Sequence, residues 1–211
     1  MQLVISACRR RPVWGGMVVV ALLLLSLTAA AQRQPLTAYS LEDGLPQSQV
    51  QDIVQDERGY LWVALLAGGV TRFDGRTFRT LTVEDGLPDN TVTAIQEDST
   101  GTLWFGTESG LARYDGTEIE TFTTADGLPH NQIHAIVGGN TGPLFFGTPA
   151  GAFAYADSTF RPIAPDRIEE TYQESLAARG DTLWIGAAEG PLYRYADTTL
   201  TTIGEEAGLT A

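Results

Sequence analysis

Leu103-Trp104-Phe105-Gly106-Thr107-Glu108-Ser109-Gly110-Leu111-Ala112-Arg113-Tyr114-Asp115-Gly116 decides the fold. Two short strand-like runs, Leu103 to Thr107 and Leu111 to Tyr114, flank the turn Glu108-Ser109-Gly110, and Asp115-Gly116 closes the stretch with a two-residue hairpin signal. Outward from it, Thr91 to Gln96 reads as a preceding strand, and Asp98-Ser99-Thr100-Gly101 reads as a turn in which Gly101 supplies a positive φ at little cost. Glu118 to Thr123 reads as a following strand. Leu103 to Thr107 and Leu111 to Tyr114 lie between them, so the unit is a four-stranded antiparallel meander.

The unit recurs. Glu84-Asp85-Gly86-Leu87-Pro88 repeats Glu42-Asp43-Gly44-Leu45-Pro46 and returns as Ala125-Asp126-Gly127-Leu128-Pro129, at spacings of 42 and 41 residues. Trp62, Trp104, Phe145 and Trp184 recur at 42, 41 and 39, each two residues before a small one: Ala64, Gly106, Gly147 and Gly186. A third register, Gly69, Gly110, Gly151 and Gly190, keeps the same period. A four-stranded meander in tandem with a tryptophan at a fixed place predicts an all-β fold of β-propeller blades. The tryptophan is expected to fill the gap between neighbouring twisted sheets, and the small residue beyond it to let backbones approach. The other use of such a ring, a sugar-stacking platform, fits poorly with a residue present in every repeat.

The expected blades span about residues 41–82, 83–123, 124–164 and 165–204, within a partial propeller of residues 35–211. In the linker, Asp-Gly reverses the chain, leucine is an apolar peg, and proline ends strand pairing. The fourth linker loses this phrase, with Asp166-Arg167-Ile168-Glu169-Glu170-Thr171 in its place. Gln34 to Leu41 aligns with Arg76 to Val83 and is expected to form an orphan outermost strand, while residues 205–211 open a fifth repeat. The expectation is an open, incomplete array of four blades whose uncovered end faces favour self-association or further blades.

Residues 1–31 read as an address. Arg9 to Arg11 precede an apolar run from Val13 to Leu27, and Ala29-Ala30-Ala31 offers a signal-peptidase site. A cleaved signal peptide is expected, with residues 13–31 serving as an inner-membrane anchor in the uncleaved alternative; either way the rest is periplasmic or secreted. Cys8, the single cysteine, lies in this segment, which excludes an internal disulfide and CxxC chemistry. The chain of 211 residues has 26 Asp and Glu, 13 Arg and no Lys, a net charge of -13, and loss of residues 1–31 leaves 26 acids against 10 bases. Nucleic acid and anionic lipid are therefore excluded as partners. The acids are dispersed, as expected of a salt-adapted surface rather than a cation-seeking face.

The pattern of Gly86-Leu87-Pro88, Leu103-Trp104-Phe105-Gly106-Thr107 and Gly110-Leu111-Ala112-Arg113-Tyr114-Asp115-Gly116 resembles the two-component regulator propeller repeat over about residues 35–208. The third unit departs from it in Phe145 and Ala156-Asp157, the fourth in its linker. The resemblance implies the exported sensor part of a histidine-kinase-type or cyclase-type signalling protein, with a membrane-bound signalling partner and an oligosaccharide or other small ligand.

Chemistry is sparse along the chain. His130 and His134, at i and i+4, could share a strand face as a metal or acid–base pair, but His130 takes the slot held by Gln47 and Asp89 in the sister repeats. Ser48 and Ser109 lack a Gly-x-Ser-x-Gly context. Asp43, Asp85 and Asp126 recur in linkers and Asp74 and Asp115 in hairpins, so repetition assigns them to structure rather than glycoside hydrolysis. Asp98-Ser99-Thr100-Gly101 fails the spacing of a calcium loop, and a phosphate loop needs the lysine this chain lacks. No cofactor, metal or catalytic residue is expected. Ligand contacts are expected from the residues after each Gly-Leu-Pro, namely Gln47, Ser48, Gln49, Asp89, Asn90, His130, Asn131 and Gln132, on a core built around Trp62, Trp104, Phe145 and Trp184. The leading expectation is a non-enzymatic exported sensor module; the alternatives are a propeller scaffold for protein–protein contacts and, behind it, a propeller hydrolase or lyase.

Overall fold

Period-two alternation becomes sixteen antiparallel strands in a computed structural model that describes residues 37–163, 175–186 and 191–204. The signal segment, the fourth linker, Gly190 and the start of the fifth repeat lie outside the described residues. The first sheet holds β1 (Val50–Gln55), β2 (Leu61–Leu65), β3 (Gly69–Phe73) and β4 (Phe78–Leu81); the second holds β5 (Val92–Glu97), β6 (Leu103–Thr107), β7 (Leu111–Tyr114) and β8 (Ile119–Phe122). The third comprises β9 (Ala135–Gly138), β10 (Leu144–Thr148), β11 (Gly151–Ala156) and β12 (Thr159–Pro162), and the fourth β13 (Ser175–Arg179), β14 (Thr182–Gly186), β15 (Leu192–Ala196) and β16 (Thr199–Ile203). Each is a simple meander, every strand paired with its chain neighbours. First strands of successive sheets lie side by side, β1 by β5, β5 by β9 and β9 by β13. Among the described residues the fourth sheet makes no comparable contact with the first, so the array is open.

Each joint buries one face of a sheet against the next. Trp62, Val70 and Leu81 of the first sheet meet Ile95, Leu103 and Phe105 of the second, with Leu87 of the linker in the same cluster. Trp104 and Leu111 meet Ile133, Leu144 and Phe146 at the second joint, and Phe145 meets Leu183 and Ile185 at the third. The ring of Trp104 lies 4.9 Å from that of Tyr155 in the next sheet. Gly106 is small because a Cβ there would come within 2.7 Å of the Ile133 side chain. Trp62, Trp104 and Phe145 are buried, whereas Trp184, on the last sheet, is half-buried.

The tryptophan is tied by two further side chains. Its indole N–H donates to Asp56 Oδ2 from Trp62, 2.9 Å, and to Asp98 Oδ2 from Trp104, 2.8 Å. The cross-strand residues, Arg72 and Arg113, hold their guanidinium carbons 6.0 and 5.9 Å from the indole centroids. In the third sheet phenylalanine has no N–H to satisfy, and both supports vanish with it: Phe145 pairs with Ala154, and Gly139 stands where Asp98 stood. The coordinated replacement follows from physics, because a carboxylate at a joint without its donor would be desolvated for nothing.

The linker is more ordered than a reversal. Ser40, Thr82 and Thr123 each cap a three-residue 3-10 turn, accepting a backbone N–H, while Asp43, Asp85 and Asp126 accept back from the cap residue's own N–H, and Gly44, Gly86 and Gly127 end the turns in the left-handed region. The expected orphan strand at Gln34 to Leu41 is corrected in its described part: residues 37–40 have no strand partner and Leu41 begins the first 3-10 turn. The segment instead places the ring of Tyr39 4.8 Å from Phe73.

The open end shows in the repeat itself. Ile95 and Ile136 are 2% and 5% exposed, while Ile53, the same residue of the first sheet, is 56% exposed. Ile95→Ala is expected to cost about 2–5 kcal/mol in a denaturant titration, whereas Ile53→Ala costs less than about 1 kcal/mol; equal losses would contradict the open joint. Burial pushes the Asp98 carboxyl up, but the hydroxyl and N–H of Thr100, the Trp104 indole and the N–H of Thr102 outweigh it and leave its pKa lowered. Its contribution is thus present above the ordinary aspartate range and is lost as pH falls through the depressed value. Asp98→Asn is expected to unfold along a shallower acid limb than the parent in a pH series of thermal melts.

Candidate functional site

Chain direction sorts the loops. In each sheet the linker enters at the end where the second strand turns into the third, so linkers and these turns share one face, and the other two loops of each sheet lie at the opposite end. The eight residues after Gly-Leu-Pro therefore gather along one face, against turns 66–68 and 108–110.

Three of the eight are tied down by the scaffold. Asn90 and Asn131 turn their Oδ1 atoms back onto the backbone N–H groups of Val83 and Thr124, at 3.0 and 2.8 Å, and so fasten the 3-10 turns. Asp89 accepts from the Thr91 N–H at 2.7 Å and from the Ser109 hydroxyl at 2.7 Å, bridging linker and turn. Burial raises its pKa, and these two donors more than reverse that, leaving it lowered.

The others keep hydrogen-bonding capacity. Ser48 and Gln49 are exposed; Gln47 is half-buried, accepts the Ser48 N–H at 2.8 Å, and packs its Cβ against Gly68. His130 accepts the Gln132 N–H on Nδ1 at 3.0 Å, so the neutral ring carries its proton on Nε2. Gln132 donates from Nε2 to Glu108 Oε2 at 2.6 Å, linking the third linker to the turn of the second sheet. His134 is half-buried and its N–H donates to the Gly147 carbonyl at 2.8 Å. Among the described residues no group of three His, Cys, Asp or Glu is placed to hold a metal ion. The arrangement offers amides, hydroxyls, an imidazole and one carboxylate on rigid turns, a set that recognises hydroxyls and amides by hydrogen bonding.

Sequence reasoning left out Glu108 and weighed Ser109 only as a nucleophile, because contact between a turn and the linker is tertiary. It also grouped Asn90 and Asn131 with the ligand contacts. Their matched place, seven residues after Val83 and Thr124, was a legible signal of a repeated structural bond.

Residues 44–65 and 86–109 match the family described as two component regulator propeller. No curated protein matches the chain. Among solved structures, the extracellular domain of a hybrid two-component system from B. thetaiotaomicron is similar at 21% identity and a TM-score of 0.66, over 80% of this chain and 26% of that one. A catalytically inactive virginiamycin B lyase from Staphylococcus aureus, solved with quinupristin, is similar at 18% identity and a TM-score of 0.61, over 82% of this chain and 60% of that one. A gluconolactonase from Xanthomonas campestris gives 15% and 0.51, over 72% and 61%. The likeness is one of fold, and this chain spans about a quarter of the first of these proteins.

The division between tied and free residues has a direct test. Asn131→Ala, which releases the Thr124 N–H, is expected to cost about 1 kcal/mol of stability, while His130→Ala stays within about 0.5 kcal/mol of the parent, both by chemical denaturation.

Proposed function

We propose that this chain, which carries two-component regulator propeller repeats, is the exported, non-catalytic sensor part of a two-component-type signal transduction protein, working in the periplasm or outside the cell. The observation that carries the reading is the family match itself, whose two segments begin at Gly44 and Gly86, within the linker phrase, and run through the tryptophan strands. Likeness to an extracellular domain of a two-component system supports the fold such a sensor needs. Recognition falls to Gln47, Ser48, Gln49, His130 and Gln132 with Glu108, and an oligosaccharide suits their hydrogen-bonding set. The signal would pass to further blades or to a membrane-bound partner.

A second reading, a scaffold for protein contacts without a small ligand, is favoured by one observation: Val50, Ile53 and Leu61 of the first sheet are exposed where Val92, Ile95 and Leu103 are buried. Such a face suits self-association or an added sheet. The similar lyase and lactonase lend no reaction to this chain, because the likeness is of fold alone.

A glycan array followed by titration of the full chain separates the two readings. The sensor reading expects a saturable oligosaccharide whose affinity falls about tenfold or more in the double variant His130→Ala, Gln132→Ala, the scale of losing one or two hydrogen bonds, with stability unchanged. An empty array, or a ligand indifferent to both changes, would favour the scaffold.

A further inference from the structure

Where tandem repeats agree, a residue serves the repeat; where several depart together at one place, that place is free to serve something else. Four departures meet at the end of the sheets opposite the linker face. The position that receives the indole N–H is Asp56 in the first sheet and Asp98 in the second, but Gly139 in the third and Arg179 in the fourth. The preceding position is Gln55, then Glu97, then Gly138. Gln96 takes a place that is apolar in its sisters Val54, Val137 and Ala177, each of which pairs with the joint aromatic of its sheet.

All four departures line one cavity of about 470 Å³ framed by β5, β9 and β13. Its volume matches small-molecule sites, and it opens to solvent: Asn140, Thr141 and Arg179 are exposed and Gln96 is half-buried. The polar lining is Gln96, Asn140, Thr141 and Arg179, with no carboxylate, in a chain with twice as many acids as bases. The backbone itself demands glycine at the floor: Gly138 and Gly139 have φ of 93° and 83°, and a Cβ on Gly138 would come within 2.6 Å of the Pro143 carbonyl oxygen. Gln96 donates to the Glu97 carbonyl, which leaves its Oε1 for a ligand hydroxyl, and Arg179 makes no ion pair with any described residue. Neither neighbouring acid lines the cavity: Asp98 is engaged by Trp104 and Thr100, and Asp181 lies beside Gly142. The net negative charge of the rest of the chain is screened beyond about 8 Å at physiological ionic strength. No aromatic ring lines the cavity, so stacking is not what it offers.

We propose that this cavity binds a small hydroxylated organic carboxylate, its carboxylate on the Arg179 fork and its hydroxyls on Gln96, Asn140 and Thr141. A guanidinium matches a carboxylate in two parallel hydrogen bonds, and amides and a hydroxyl match alcohols. The site lies at the other end of the sheets from the linker face and stands independently of the sensor reading. Its occupant would touch the second, third and fourth sheets together.

Calorimetric titration of the full chain with sodium gluconate and with glucitol, the same carbon chain without a carboxylate, tests it. Gluconate is expected to bind saturably and at least about tenfold more tightly than glucitol, the scale of a charge-assisted bond. Arg179→Gln is expected to lower gluconate to the level of glucitol and Thr141→Val to weaken both, while Arg58→Gln, whose guanidinium lies by Gly116 outside the cavity, leaves gluconate unchanged. Equal binding of the two probes, an Arg179→Gln variant that binds as the parent does, or absence of binding by either probe would overturn the proposal.

Discussion

An apolar sheet face left in water is the constraint from which this molecule is built. A four-stranded meander covers neither of its faces, so stability comes from the joints between sheets, and the joint aromatic does most of that filling. Tryptophan brings a large area and one N–H that must be satisfied once water is excluded. Asp56 and Asp98 satisfy it from the turn, six residues earlier, and Arg72 and Arg113 cover the ring from the neighbouring strand. The three-part unit is present whole in the first two sheets and absent as a whole in the third, where Gly139, Phe145 and Ala154 stand. At a buried joint, partial retention would strand a donor or a desolvated carboxylate; the fourth sheet keeps Trp184 and Arg194 without the aspartate, and there the tryptophan is only half-buried.

This logic explains how much of the fold could be read from residues alone. The strands of the second sheet were legible to within a residue or two, because turn chemistry and the repeat agree there: Leu103–Thr107 and Leu111–Tyr114 are the runs that lie between the turns. The capping boxes were half legible. Asp85 was readable as a turn residue, but its bond to the N–H of Thr82 depends on the 3-10 geometry between them. Alignment of Gln34 to Leu41 with a true fourth strand misled, because similarity to Arg76 to Val83 says nothing about whether a third strand is in reach to pair with. The candidate site was legible as a face and not as a set of roles. Position after Gly-Leu-Pro placed the eight residues on the linker side, while the assignment of Asn90 and Asn131 to the backbone, and the entry of Glu108, required the tertiary contact between linker and turn.

Acidity takes on a different meaning once the side chains are placed. Asp74 and Asp115 hold their own hairpins, accepting the N–H groups of Arg76 and Thr77 in one case and of Thr117 and Glu118 in the other. The bonds to Glu118 and Thr117 draw the Asp115 carboxyl down to about 2. With Asp43, Asp85 and Asp126 in capping boxes, Asp56 and Asp98 under tryptophans and Asp89 across a turn, these aspartates are already partnered with N–H and O–H donors. Among the described residues these aspartates are spoken for by their own turns and joints, and no three acids, histidines or cysteines are grouped to hold a metal ion.

The same placement identifies where recognition has room to act. Core positions are dictated by the joint and hairpin aspartates by the turn, so freedom remains at the linker face and wherever the repeat is broken without loss of the fold. The third sheet is such a place: by giving up the indole, it no longer needs a carboxylate at position 139, and the first-strand end is released to glycine there; the fourth sheet keeps Trp184 but only half-buries it, and carries Arg179 at the matching place. A change made possible by packing thus alters the local charge from acid to base without disturbing the sheets that carry it. In a repeat protein the tolerance of one joint to a smaller aromatic becomes the means by which a uniform scaffold acquires a place unlike the others.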